Sequence, residues 1–174
     1  PGIPLDMPFI KSARDKGVPV SGELNIFAQY NTTPVIAITG TNGKTTTTEL
    51  TAAMLEASGI SCFVGGNIGT PLMEYLMQDS PKDVVVAEVS SFQLDLADAF
   101  RPNVAALLNI AQDHLDRYPD FEAYADSKWS VFKNMTALDT AVINAAIKDC
   151  PTRTKAVCAD ILEFSSTGPV PRGA

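Results

Sequence analysis

Basic residues are scarce in this chain: 13 lysines and arginines stand against 20 aspartates and glutamates, a net charge of -7. Nucleic acid or an anionic membrane surface would demand a basic patch, so both are excluded as partners. Long apolar runs are missing too. Val84-Val85-Val86-Ala87 and Val104-Ala105-Ala106-Leu107-Leu108 are of strand length, well short of the roughly 20 residues that span a bilayer. Cysteine is limited to Cys62, Cys150 and Cys158. Their odd number and the lack of a CxxC spacing argue against a disulfide framework or a zinc site, and for small apolar residues in a reducing cytoplasm. No secretory signal opens the chain. It begins Pro1-Gly2-Ile3 without a start methionine, the mark of a fragment or a processed protein.

What is present is ordinary for a globular protein: 174 residues, 45% hydrophobic and 19% charged. That is enough for one full core, or one domain with part of another. Residues 1–33 read as a separate piece, with short helices over 8–16 and 22–30 and a short strand at Val18-Pro19-Val20. From Pro34 the pattern alternates strand and helix. Val35-Ile36-Ala37-Ile38-Thr39 is apolar on both faces and mostly β-branched, as a central parallel strand is. The helix after it carries Leu50, Ala53, Met54 and Ala57 at i, i+3, i+4 and i+7, which predicts its buried stripe. Gly59 is placed to end it.

Further strands are expected over 61–64, 83–89, 104–110 and 140–144, with helices over 71–78 and 121–135. The Ser-, Pro- and Gly-rich residues 165–174 read as a frayed end. The resulting fold class is α/β, a doubly wound, mostly parallel sheet.

Between the first strong strand and the first strong helix lies Gly40-Thr41-Asn42-Gly43-Lys44-Thr45-Thr46. Glycines let such a turn bring backbone N–H groups against phosphate oxygens, and the helix N-terminus adds its dipole. Lys44 can reach the β- and γ-phosphates, and the Thr45 hydroxyl can ligate Mg²⁺. The common phosphate loop has a glycine five positions before Gly43, where this chain has Ile38. This is a shortened variant.

Three further side chains carry possible chemistry. Glu88 ends an apolar strand on the side where strand C-termini meet a ligand crevice. It suits a Mg²⁺ ligand, or a strand-end acid facing water. His114, the single histidine, follows another strand and suits a metal ligand, a proton shuttle or a plain loop residue. Lys128 falls on an apolar stripe with Phe121, Tyr124, Ala125 and Phe132. It either snorkels from the stripe's edge or is held inside as a neutral amine. A neutral amine reacts with CO2 to give a carbamate, an anion able to ligate Mg²⁺.

Taken in order, Gly40 to Thr46, Gly65-Gly66-Asn67-Ile68-Gly69, Glu88-Val89-Ser90-Ser91-Phe92-Gln93-Leu94 and the run from Asn109 through Asp113-His114-Leu115-Asp116-Arg117-Tyr118 resemble the Mur ligase family. The second and third motifs are most similar to its D-glutamate-adding branch. The resemblance implies a three-domain ATP-dependent ligase of peptidoglycan precursor synthesis, acting on UDP-N-acetylmuramoyl-L-alanine and D-glutamate through an acyl phosphate. Residues 1–33 would close its UDP-binding domain, and residues 34–174 would be a truncated ATP-binding domain, inactive by itself.

Residue by residue, Gly40, Thr41, Asn42, Gly43, Lys44, Thr45 and Thr46 would bind ATP, and Thr45 with Glu88 one Mg²⁺. His114 and a carbamylated Lys128 would serve a second Mg²⁺. Asn67, Ser90 and Gln93 would lie near the UDP-muramoyl substrate. Competing expectations are another ligase of the superfamily, such as a folylpolyglutamate synthase-like enzyme, or a nucleotide-binding module without ligation. A guanine-binding Asn-Lys-x-Asp motif is absent from the sequence.

Overall fold

The computed structural model describes residues 3–113 and 117–173. In chain order the elements are α1 (Pro8–Asp15), α2 (Glu23–Tyr30), β1 (Val35–Thr39), α3 (Lys44–Ala57), β2 (Cys62–Gly66), α4 (Leu72–Tyr75) and β3 (Val84–Glu88). These are followed by α5 (Ser91–Leu94), β4 (Val104–Leu107), α6 (Phe121–Trp129), β5 (Thr140–Asn144), α7 (Cys150–Arg153) and β6 (Asp160–Phe164). The six strands form one sheet in the order β2-β3-β1-β4-β5-β6, and every pairing is parallel. The expected α/β class holds. The chain winds from β1 outward to β2, returns to β3, then crosses β1 to build β4, β5 and β6. The reversal lies at β1, so the C-terminal ends of β1, β3 and β4 bound the crevice where such sheets take ligands.

One face of the sheet presents Val35, Ala37, Val85, Ala87, Ala105, Leu107, Ala141 and Ile143 to the main core. Leu24 and Phe27 of α2, Leu72 and Tyr75 of α4, Leu94 of α5, and Ala125 and Trp129 of α6 close over it. Leu24 and Phe27 are fully buried, each contributing about 1.5–3 kcal/mol. On the other face, α3 covers a smaller cluster of Ile38, Cys62, Val84 and Val86 through Ala52.

Four expectations are corrected here. Val18-Pro19-Val20 is not a strand, because nothing pairs with it and proline removes a ladder donor. The α3 stripe is rotated: Leu50 and Met54 are 58% and 63% exposed, whereas Thr48 and Ala52 are buried. The phosphate loop fixes where this helix begins and how it turns, and small side chains at 48 and 52 let it sit close to the sheet. β6 was not anticipated. Its sequence Asp160-Ile161-Leu162-Glu163-Phe164 mixes charges among apolar residues, as suits a half-buried edge. Finally, α4 and α6 are shorter than expected, α6 passing into a 3-10 turn at 130–132.

Candidate functional site

The crevice is built from loops that leave the C-terminal ends of strands. After β1, Gly43 takes φ +80, in the left-handed region, which glycine enters at no steric cost. It is the N-cap of α3, so the N–H groups of Lys44, Thr45 and Thr46 open the helix without intrahelical acceptors. With the helix dipole behind them, they form an anion site. The Lys44 amine folds back to donate to the Thr41 carbonyl at 2.9 Å.

Thr45 reaches across to β3, donating to Glu88 Oε2 at 2.7 Å. Asn67, after β2, donates to the other oxygen, Oε1, at 2.8 Å, and its backbone N–H meets the Glu88 carbonyl at 2.9 Å. The close approach of these loops needs Gly66, where a Cβ would lie 2.4 Å from the Glu88 carbonyl oxygen. Glu88 is 1% exposed, and no lysine or arginine of the described residues pairs with it. A buried carboxylate without a cation is costly, so the site fits a positive ion at this position. Among the described residues no three His, Cys, Asp or Glu side chains converge. Such an ion would therefore draw its remaining ligands from phosphate oxygens and water, as Mg²⁺ does.

Lys128 does not snorkel. It is 2% exposed, donates to the Gly40 carbonyl at 2.8 Å and lies 4.8 Å from the centroid of the Tyr124 ring. Burial, and then the neighbouring charge of Lys44, lower its pKa to about 7 from an ordinary 10.5, while Asp113 and Asp95 pull the other way. Between those two values the unfolded chain holds a proton that the folded chain releases, so stability rises with pH through this window. Below pH 7 the penalty is complete. Lys128→Met in the full-length protein, in bicarbonate-free buffer, should be more stable than the parent near pH 6.5. The gap should be a few kcal/mol, since each pH unit across this window is worth about 1.4 kcal/mol, and it should close toward pH 10.5. A gap that stayed constant in thermal melts across that range would show Lys128 to be an ordinary lysine.

Ser90 and Gln93 engage each other. Ser90 caps α5, accepting the Gln93 N–H at 3.4 Å, while Gln93 Oε1 accepts the Ser90 N–H at 3.0 Å. Gln93 is buried. Beyond α5 lies an open polar cleft of about 390 Å³ lined by Pro4, Leu5, Asp6, Phe92, Asp95, Arg117 and Tyr118. The structure thus brings Gly40 to Thr46, Asn67, Glu88, Ser90 and Lys128 to one end of the sheet. His114 lies outside the described residues.

Two site residues escaped the sequence reading. Tyr124, taken as part of an apolar stripe, holds its hydroxyl 3.0 Å from Thr41 Oγ1. Asn109, read only as part of a motif, contacts the phosphate loop directly. The signals were a polar residue inside the expected strand over 104–110 and a tyrosine one helical turn before Lys128.

Known proteins align with this architecture. Residues 38–170 match the family described as the Mur ligase middle domain. A UDP-N-acetylmuramoylalanine–D-glutamate ligase of Desulfatibacillum aliphaticivorans is 50% identical over 92% of this chain and 35% of its own length. Another, from Desulfosudis oleivorans, is 55% identical over 84% of this chain and 32% of its own. The chain thus spans about a third of the curated relatives it matches. Among solved structures, MurF ligase from Thermotoga maritima in complex with ADP superposes with a TM-score of 0.65 at 25% identity, covering 86% of this chain and 38% of that one.

Proposed function

The chain belongs to the Mur ligase family, and we propose that it forms the ATP-binding part of the member that joins D-glutamate to UDP-N-acetylmuramoyl-L-alanine. The observation that carries the reading is the buried Glu88, tied to Thr45 of the phosphate loop at 2.7 Å and to Asn67 at 2.8 Å, with no lysine or arginine of the described residues paired to it. The names of the two relatives at 50% and 55% identity support the choice of substrates. On this reading, residues 34–174 serve ATP and residues 1–33 close the UDP-binding part. The reaction is cytoplasmic, supplying peptidoglycan precursors.

The L-alanine carboxylate attacks the γ-phosphorus of ATP. An O–P bond forms, the bond to ADP breaks, and an acyl phosphate results. The D-glutamate amine then attacks the acyl carbon, phosphate leaves with its bonding pair, and an amide forms as the amine loses a proton. A carboxylate approaching a polyphosphate meets strong repulsion, which fixed positive groups must offset. Lys44, released from the Thr41 carbonyl, turns onto the β- and γ-phosphates, and the N–H groups at the start of α3 hold their oxygens. Thr45 and Glu88 would hold one Mg²⁺, and His114 with a carbamylated Lys128 a second; bound there, the ions would neutralise charge on the transferring phosphoryl group. The carbamate arises when the neutral Lys128 nitrogen bonds to the carbon of CO2 and releases a proton to solvent. Burial supports that neutrality. Asn67, Ser90 and Gln93 would lie near the UDP-muramoyl substrate, with Ser90 and Gln93 holding each other.

The test is substrate-dependent phosphate release by the full-length enzyme. Release should require ATP, UDP-N-acetylmuramoyl-L-alanine and D-glutamate together. Turnover with diaminopimelate, lysine or a folate in place of these, and none with D-glutamate, would overturn the proposal.

A further inference from the structure

A phosphate loop cradles its ligand with backbone N–H groups, but two of those in this loop are already taken. The Thr41 N–H donates to the Asn109 carbonyl at 3.0 Å. The Asn42 N–H donates to Asn109 Oδ1 at 2.9 Å, and Asn109 Nδ2 returns a bond to the Asn42 carbonyl at 2.9 Å. One side-chain amide therefore pairs with both backbone groups of Asn42, as a neighbouring strand would. Two residues on, the Ala111 N–H donates to Thr41 Oγ1 at 3.0 Å. The exit of β4 is itself braced from β5, where Asn144 Nδ2 donates to the Leu108 carbonyl at 2.9 Å.

From this geometry we infer that Asn109 is a positioning residue that preforms the phosphate loop. It turns the Thr41 and Asn42 N–H groups toward β4, so phosphate is met by the donors from Gly43 onward, where the helix N-terminus begins. The inference rests on the reading of Gly40 to Thr46 as the ATP loop. Asn109 touches no ligand in this scheme. It acts by sparing the loop the entropy of ordering when the nucleotide arrives, which otherwise weakens binding.

A matched control exists in the same pair of strands. Asn103, just before β4, accepts the Val35 N–H at 2.9 Å through Oδ1. It makes the same kind of side-chain tie between β4 and β1, at the end remote from the crevice. In the full-length enzyme, Asn109→Ala should weaken Mg-ATP about tenfold, by direct binding of a non-hydrolysable analogue and as KM for ATP. The kcat at saturating ATP and the KM for D-glutamate should change far less. Hydrogen exchange at the Asn42 amide of the nucleotide-free enzyme should accelerate, whereas the Thr41 amide keeps its bond to the backbone carbonyl of residue 109. Asn109→Asp should not rescue, because its carboxylate has no donor for the Asn42 carbonyl. Asn103→Ala should lower the melting temperature by a similar amount and leave Mg-ATP affinity unchanged. If Asn109→Ala bound Mg-ATP like the parent, or if Asn103→Ala weakened it equally, Asn109 would be only a structural tie. Lys44→Ala separates the two claims: affinity lost there but kept in Asn109→Ala overturns the positioning role alone, whereas affinity kept in both overturns the loop reading as well.

Discussion

Lys128→Ala in the full-length enzyme is expected to lose ligation by about a thousandfold or more, and short carboxylates such as acetate or propionate are expected to restore part of it. Lys128 is 2% exposed, and its amine sits against the Gly40 carbonyl at the head of the phosphate loop. Truncation to alanine therefore leaves an enclosed space beside the reacting phosphates. If the working form is a carbamate, what is lost is an anionic oxygen pair, and a carboxylate of suitable size replaces it. If the working form is an ammonium ion, as its contact with the Tyr124 ring would equally allow, small amines would rescue and carboxylates would not. Rescue by methylamine alone, with acetate inert, would end the carbamate reading.

Glu88→Gln is expected to move activity and stability in opposite directions. The amide keeps the shape of the carboxylate and can still bond Thr45 and Asn67, so the local packing survives. It removes a buried charge that no lysine or arginine of the described residues balances. Replacing such a charge by a neutral group of equal size is neutral or stabilising. The melting temperature of the metal-free protein should therefore hold or rise. Turnover should fall about a hundredfold or more, since a cation held between Glu88 and phosphate would lose its protein anion. Thermal melts without Mg²⁺ beside turnover titrated with Mg²⁺ would check both halves. Near-normal turnover with an unchanged Mg²⁺ requirement would reduce Glu88 to a strand-end acid.

Strands, the phosphate loop and the order of motifs were legible because their signals are local. A run such as Val35-Ile36-Ala37-Ile38-Thr39 is too short and too β-branched for a helix, and it forms β1. The strand over 140–144 is likewise observed as Thr140–Asn144. Glu88 could be placed at the crevice because a parallel sheet gathers strand C-termini on one side, whatever the strand order.

Orientation was another matter. The apolar spacing of α3 pointed to Leu50 and Met54, yet these face outward while Thr48 and Ala52 face the sheet. Hydrophobic periodicity measures only transfer free energy. The rotation of this helix is set at its first turn, where Gly43 and the Thr45–Glu88 bond pin it. The same holds for Lys128, whose spacing allowed either a snorkelling or a buried amine; its bond to the Gly40 carbonyl, 88 positions away in the chain, exists only in the packed fold. Asn109 is the plainest case. Its partner Asn42 lies 67 positions away in the chain, and no local pattern encodes a contact that exists only because β4 is paired with β1. The sequence by itself determined the strands β1 to β5 and the phosphate loop, and it placed Glu88 at one end of the sheet. The packing of the sheet decided which of the groups there are dry, which are charged and which hold the others in place, because desolvation and hydrogen-bond direction depend on neighbours remote in the chain.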